Sequence, residues 1–221
     1  MLGSRLPDHS PDDFELIRGW RSGDQLARDA LFSRHYGRIR RFFDVKVPAA
    51  AEDLTQQTFL ACIELVDQIE KPGSFKAFVF SIARHRLLRY LRSARRTEGP
   101  SPIESFADSA TSPSGIVARN KEHWLLLRAM ERLPTDLRIA LELFYWEDMR
   151  SSEIAQVLRI PLSTVTTRIS RARTRLRSIV EELSAGAVDA GEHLDNWAKS
   201  MVVHEDPQPE GPPPRDPPTK P

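Results

Sequence analysis

Hydrophobic residues recur every three or four positions along most of the chain, which is the spacing of amphipathic helices. No run of alternating apolar and polar residues gives a convincing strand. The predicted helices run from after Pro11 through Trp20, from Ala27 through Phe43, from Ala49 to Ile69, from Phe75 to Arg96, from Ile116 to Leu133 and from Thr135 to Trp146. The pattern therefore predicts an all-α fold.

The composition changes between the fourth and fifth of these helices. Residues 97–115 contain several prolines and serines and no sustained apolar stripe, which predicts a flexible linker. We therefore expect two small helical domains, at residues 12–96 and 116–183. A tail at residues 1–11 and an extension at 184–221 flank them. Residues 193–203 could form one short amphipathic helix, and the proline-rich end predicts disorder for most of the extension.

A helix-turn-helix is predicted near the end of the second domain. Ser151 opens its first helix, where a hydroxyl can cap free N–H groups, and Glu153 suits the positive end of the helix dipole. Pro161 cannot donate the backbone hydrogen bond that would continue this helix. A second helix is then predicted from about Leu162 towards Leu183.

The second helix of this motif has one apolar and one basic side. Six arginines and no acid lie between Arg159 and Arg177. In a helix-turn-helix the second helix enters the DNA major groove, and arginine can bind guanine or phosphate there. A solvated basic helix face is the alternative, although such faces usually mix acids with bases. The candidate DNA-binding residues are Ser163, Thr164, Thr166, Thr167, Arg168, Arg171 and Arg175.

A second basic cluster ends the first domain, where six arginines and no acid lie between Arg84 and Arg96. Phe75, Phe78 and Phe80 lie just before it. Cations beside aromatic rings suit single-stranded DNA, whose bases stack on rings while its phosphates bind the cations. The three phenylalanines could instead belong to the core. The candidate residues on this helix are Arg84, His85, Arg89, Arg92 and Arg96.

Bulk composition limits the function further. The 221 residues carry 32 basic and 31 acidic side chains, so nucleic-acid binding would depend on local patches. Cys62 is the only cysteine, which fits a reducing compartment and excludes a disulfide framework. No segment is long and apolar enough to span a membrane, and we expect a cytoplasmic protein. The histidines lack metal-ligand spacing and no glycine-rich phosphate loop occurs, so we expect no metal, cofactor or catalytic residue.

Three stretches, in this order, resemble the extracytoplasmic-function (ECF) group of bacterial sigma factors. Residues 51–59 are similar to an acid-Asp-Leu-x-Gln-Glu-x-Phe motif of that group, with Gln57 in place of its glutamate. Residues 75–84 resemble its aromatic segment that ends in Ile-Ala-Arg, and residues 133–173 resemble its helix-turn-helix region. His85 occupies a position where relatives often carry asparagine. The resemblance covers roughly residues 12–183.

The resemblance implies partners and roles. Core RNA polymerase, through its β′ and β subunits, and promoter DNA are the implied partners, and an anti-sigma factor is a further one. The resemblance implies that Asp53, Gln56, Gln57 and Phe59 bind a coiled coil of the β′ subunit. The first domain would open and hold the −10 promoter element, and the second would bind the −35 duplex. Without the resemblance, the polar residues of residues 51–59 would be interpreted as ordinary surface.

Two other functions compete with a sigma factor. A free-standing helix-turn-helix regulator would bind DNA without polymerase, but it would normally carry a dimerisation helix or a sensor domain. A nuclease would need grouped carboxylates for a metal ion, and Asp12-Asp13 and Glu181-Glu182 are better explained as helix-end charges. The sequence therefore favours a transcription initiation factor without catalysis of its own.

Overall fold

A computed structural model describes residues 11–69, 75–98 and 121–184, and all of their regular structure is helical. The all-α prediction is therefore confirmed for this part of the chain. The helices are α1 (Asp13–Arg21), α2 (Gln25–Asp44), α3 (Ala51–Leu65), α4 (Phe75–Glu98), α5 (Lys121–Glu131), α6 (Thr135–Tyr145), α7 (Ser151–Leu158) and α8 (Leu162–Leu183). No helix among these residues has the length and apolar character needed to cross a bilayer.

The predicted helix boundaries differ from the observed ones at a few ends. The predicted helix 49–69 is α3 with a short 3-10 turn on each side, at Pro48–Ala50 and Val66–Gln68. Helix α4 continues to Glu98, two residues into the predicted linker. The rest of that linker, the turn before Phe75, residues 116–120, the tail 1–10 and the extension from residue 185, including its predicted short helix, lie outside the described residues.

Local side-chain hydrogen bonds explain where the first two helices begin. The Glu15 backbone N–H donates to Asp12 Oδ1 at 2.8 Å, and the Asp12 N–H donates to Glu15 Oε2 at 3.2 Å, which forms a capping box. Asp24 caps α2 by accepting from the N–H groups of Leu26 and Ala27. Gly19 lets α1 approach α2 closely, because a Cβ there would lie 2.9 Å from the Ala27 Cβ.

Helices α1–α4 form a first unit, and α5–α8 form a second unit in which α8 packs against α5, α6 and α7. The first unit is centred on an aromatic cluster. The Trp20 and Phe32 rings meet edge-on at 5.3 Å between centroids, and Phe59 lies 4.8 Å from Phe32. Phe75 and Phe80 are fully buried in this core. Of the two roles that the sequence left open for these phenylalanines, the structure therefore supports the core role for Phe75 and Phe80.

The two units pack against each other. Helix α4 of the first unit contacts α7 of the second, and one hydrophobic cluster contains buried residues of both units. Charged side chains surround this apolar contact, and we call the whole boundary the seam. Within the seam the buried Lys46 ammonium forms an ion pair with the buried Glu142 carboxylate. Arg138 of α6 binds the same carboxylate at 2.9 Å and donates to the Val45 carbonyl at 2.6 Å.

Burial at the seam changes the protonation of its charged groups. Desolvation lowers the pKa of Lys46 from 10.5 to about 8, although the nearby Glu142 carboxylate favours the charged form. Arg138 lowers this pKa further, and Glu147 raises it. Desolvation also raises the pKa of Glu147, against the attraction of Arg38, Arg41 and Lys76. Burial of these charged groups at the seam therefore costs hydration free energy.

We predict that Lys46 makes stability increase with pH above pH 8. Between pH 8 and 10.5 the folded protein releases the Lys46 proton while the unfolded chain retains it. The unfolded state then binds more protons, so the free energy of unfolding rises with pH in this window. Urea unfolding of wild type and Lys46→Met at several pH values measures the difference. The free energy of unfolding of Lys46→Met should rise less steeply with pH than that of wild type. Parallel curves for the two proteins would contradict the assignment.

Candidate nucleic-acid interface

The helix-turn-helix is formed by α7 and α8, and its turn is made by a residue in the left-handed conformation. Arg159 has φ 54° and ψ 49°, and the Ile160 N–H donates to the Ala155 carbonyl at 3.1 Å. This 6→1 bond closes α7 in the manner of a Schellman motif. Pro161 then precedes α8, which begins at Leu162. The chain therefore reverses within three residues, as the sequence predicts.

The start of α7 differs from the prediction. Ser151 is already the first helical residue, and Arg150 occupies the capping position. The Arg150 backbone N–H donates to Glu153 Oε2 at 2.8 Å. The acid of the first turn therefore caps this helix, and the expected capping role of the Ser151 hydroxyl is corrected.

Helix α8 separates apolar and polar residues on opposite sides. Val165, Ile169, Ala172 and Leu176 are buried in the second unit. The candidate residues that are exposed are Ser163, Thr164, Thr166, Thr167, Arg171 and Arg175; Arg168 is half-buried. The Thr167 hydroxyl donates to the Ser163 carbonyl at 3.3 Å, which leaves its oxygen lone pairs facing outwards as acceptors. The exposed side of α8 can therefore offer both hydrogen-bond acceptors and cations to a DNA groove.

Arg173 differs from the other arginines of α8 because it turns inwards. Its Nε donates to the Tyr145 hydroxyl at 2.7 Å, and its guanidinium lies 5.2 Å from the centre of the Phe144 ring. These contacts fix α8 to the end of α6. Arg173 therefore has a structural role, whereas its neighbours in the pattern, Arg171 and Arg175, are exposed.

The basic residues of α4 also fall into two groups. His85, Arg89, Arg92 and Arg96 are exposed and are spaced by four, three and four residues, so they form one stripe along the helix. Arg84 points elsewhere: its side chain is 17 % exposed and lies 3.1 Å from the Asp136 carboxylate of α6. The structure therefore places four of the five predicted residues together and separates Arg84 from them.

The candidate protein-binding stripe lies on α3. Asp53 and Gln56 are exposed, and the half-buried Gln57 donates to Asp53 Oδ2 at 2.7 Å. Phe59 is only 7 % exposed and packs on Phe32, so the expectation that it binds a partner directly is corrected. The aromatic ring of the motif belongs to the core of the first unit.

Two apolar residues extend this stripe and were missed from the sequence. Leu60 is 60 % exposed and Ile63 is 42 % exposed. Both follow the helical register of Asp53 and Gln56, which was the available signal. They were overlooked because they lie in an apolar segment of α3, where burial is the default expectation. Cys62, between them, is buried, and burial raises the pKa of its thiol to about 12, in keeping with its interpretation as a core residue.

Comparison with known families and proteins identifies relatives of both units. The family model described as "Sigma-70 region 2" matches residues 31–97, and that of "Sigma-70, region 4" matches residues 123–176. The "ECF RNA polymerase sigma-E factor" of Escherichia coli is 25 % identical over 182 residues, which cover 77 % of this chain and 95 % of that protein.

A second relative shares a shorter segment. The "Probable RNA polymerase sigma factor RfaY" of Xanthomonas campestris is 33 % identical over 135 residues, which are 59 % of this chain and 34 % of that protein. The chain thus matches about a third of the length of this relative.

Two solved structures share the fold. One is the sigma factor RpoE of Bartonella quintana in complex with the anti-sigma factor NepR, with TM-score 0.55, 22 % identity and coverage of 68 % of this chain and 94 % of that one. The other is CnrH in complex with the cytosolic domain of CnrY, with TM-score 0.55, 23 % identity and coverage of 77 % and 97 %.

We predict that Arg173 contributes to the stability of the fold and that the exposed Arg171 does not. Arg173→Ala removes a hydrogen bond and two cation–π contacts and should lower the free energy of unfolding by about 1–2 kcal/mol. The exposed Arg171→Ala is the matched control and should change it by less than about 0.5 kcal/mol. Urea unfolding followed by circular dichroism measures both. Equal destabilisation of the two variants would contradict the assigned orientations.

Proposed function

Because the chain belongs to the sigma-70 family, in its ECF group, we propose that it binds core RNA polymerase, recognises the −35 and −10 promoter elements and promotes strand opening. The observation that carries this proposal is the presence of two exposed cationic stripes on two helical units, together with a separate stripe on α3. A regulator that only reads duplex DNA needs one of these three surfaces.

The exposed side of α8 supports recognition of the −35 duplex. Its hydroxyls lie near the N-terminal end of the helix, where a recognition helix contacts base edges. Arg171 and Arg175 follow one turn further on and can bind guanine or phosphate. Arg168 is half-buried and has less freedom to reach a base. We therefore assign base contacts first to Thr164, Thr167 and Arg171.

The stripe on α4 supports binding of the opened −10 element. Arg89, Arg92 and Arg96 offer cations to phosphates, and His85 offers a flat ring at the same face. Rings beside cations are what unpaired bases and their backbone require. Since Phe75 and Phe80 are buried, His85 takes the base-stacking role that the phenylalanines were considered for.

The stripe on α3 supports docking to the β′ subunit. Asp53 and Gln56 supply polar contacts, and Leu60 and Ile63 supply apolar area that is costly to leave in water. A mixed stripe of this kind suits the side of another helix. We further propose that the β subunit contacts the second unit, and that an anti-sigma factor binds the chain, as NepR and CnrY accompany the two structural relatives.

The test of the whole proposal is reconstitution with core polymerase. The purified chain should co-elute with core enzyme, and the complex should give run-off transcripts from a promoter that core alone does not use. A chain that ignores core polymerase but binds a specific duplex would instead be a free-standing regulator. That outcome would refute the sigma role while retaining the function of α8.

We predict that Asp53→Ala and Leu60→Ala each weaken binding to core polymerase by about 1–2 kcal/mol, roughly tenfold, because both remove contacts from one docking stripe. Fluorescence titration of labelled protein with core enzyme measures the affinity. Asp29→Ala, an exposed acid on α2, is the control and should bind normally. Wild-type affinity of the first two variants would show that α3 is not the docking helix.

We predict that Arg171→Ala and His85→Ala impair different steps. Arg171→Ala should weaken binding to a −35 duplex by ~1–3 kcal/mol and relax preference at one base pair. His85→Ala should bind this duplex normally but open the promoter poorly. Permanganate footprinting on intact and pre-melted promoters separates these steps. If His85→Ala opens intact promoters as well as wild type does, the role of the α4 stripe is wrong.

A further inference from the structure

The seam between the two units brings surfaces of opposite charge together. The first unit contributes five cations, which we call the covered cationic surface: Arg38, Arg41, Lys46, Lys76 and Arg84. The second unit contributes three acids from α6 and the residues after it: Asp136, Glu142 and Glu147. It also contributes one cation, Arg138, which binds Glu142 from within its own unit. The excess of cations on one side and of acids on the other is not needed for an apolar contact between α4 and α7, so it calls for its own explanation.

The contacts across the seam are direct. Lys46 pairs with Glu142, and both side chains are almost fully buried. Arg84 lies 3.1 Å from Asp136, and Arg38 lies 3.6 Å from Glu147. The Lys76 ammonium donates to the Glu147 backbone carbonyl at 2.6 Å. Each acid therefore faces at least one cation of the first unit.

Two of these groups have a buried atom without a hydrogen-bond partner among the described residues. These atoms are Glu147 Oε2 and Arg84 Nε. A buried ion pair gains little net stability, because desolvation of both charges offsets their attraction. The cations of the first unit therefore lose little stability if another anion takes the place of the acids. A hydrated polyanion can replace the acids in this way if the units separate.

We infer that the acids of the second unit occupy a phosphate-binding surface of the first unit, and that this surface binds single-stranded DNA once the units separate. The closed chain is thus self-inhibited: Asp136, Glu142 and Glu147 take the places of backbone phosphates. Arg84 and Lys76 place part of this surface on α4, on a different side of the helix from the stripe of His85, Arg89, Arg92 and Arg96. The assignment of the DNA to the opened promoter strand rests on the proposed function; the charge exchange itself does not.

The test neutralises the acids in the full-length protein, with the triple variant Asp136→Asn/Glu142→Gln/Glu147→Gln. This variant should have a larger Stokes radius and should bind a fluorescein-labelled single-stranded oligonucleotide about tenfold more tightly at low salt. If about three more phosphates are bound, the slope of log affinity against log salt should steepen by about 2. Fluorescence anisotropy over a salt series measures both quantities.

The control is Glu131→Gln/Glu181→Gln/Glu182→Gln, which changes the net charge equally at exposed acids of the same unit. It should keep the wild-type radius and salt slope. A triple seam variant with the same slope as this control would overturn the inference, whether or not its radius increases. Adding Arg38→Gln and Arg84→Gln to the seam variant should remove the gain in affinity, and a persisting gain would also overturn it.

A milder variant covers the case in which the triple variant loses its helical circular dichroism. Asp136 is half-exposed at the edge of the seam, so Asp136→Asn should leave the fold intact while releasing Arg84. For Asp136→Asn the slope of log affinity against log salt should steepen by about 0.7. Adding Arg84→Gln to this variant should restore the wild-type slope. No change in slope for Asp136→Asn rejects the inference. Run-off transcription with wild type tests the proposed function separately. If wild type gives no run-off transcripts but the seam variants bind the oligonucleotide more tightly, the proposed function is wrong and the inference about the seam still holds.

Discussion

The apolar side of α4 is the surface on which both helical units are assembled. Phe80, Ala83 and Leu87 are buried along it, and α4 packs against α3 within the first unit and against α7 of the second. Because one helix serves both units, their cores join in a single hydrophobic cluster. The opposite side of α4 is consequently left to solvent, and it carries the stripe of His85, Arg89, Arg92 and Arg96. One side of α4 thus packs in the core, and the opposite side carries the exposed charges.

The rest of the seam is shaped by the cost of removing charge from water. Apolar packing between α4 and α7 brings the rims of the two units close enough for Lys46 and Glu142 to be buried. Arg138 then compensates Glu142 from its own unit and reaches the Val45 carbonyl of the other. Such a network sets the relative position of the two units more than it adds to their stability, since a shifted arrangement would leave charges buried without partners.

Much of the fold could be predicted from periodicity and turn chemistry. The helices and the buried side of α8 follow from spacing, and the turn between α7 and α8 follows from Pro161. The spacing of His85, Arg89, Arg92 and Arg96 also indicates one helical face, and the structure exposes it. Local rules succeed here because each depends on residues within one or two turns. The family relationship was likewise available from three short motifs.

Other residues could not be placed because their surroundings come from distant parts of the chain. Phe59 looks like a motif residue, but α2 supplies Phe32 to cover it. Arg173 shares its spacing with Arg171 and Arg175, yet Tyr145 of α6 binds it. Arg84 belongs to the basic cluster in sequence and to the seam in space. Periodicity says which side of a helix a residue occupies, but it does not say which element covers that side.

The left-handed Arg159 has a consequence for how binding specificity can evolve. Glycine usually occupies this position of a helix end, because it adopts positive φ without a steric penalty. An arginine there means that packing of the flanking helices, and not the preference of the residue, holds the turn. Val157 and Leu158 of α7 and Val165 of α8 are buried on the two sides of this turn, so their packing helps to hold the angle between the two helices. If α8 is the recognition helix proposed above, substitutions at these hidden positions would tilt it in the groove and change which bases it reads without altering any side chain that touches DNA.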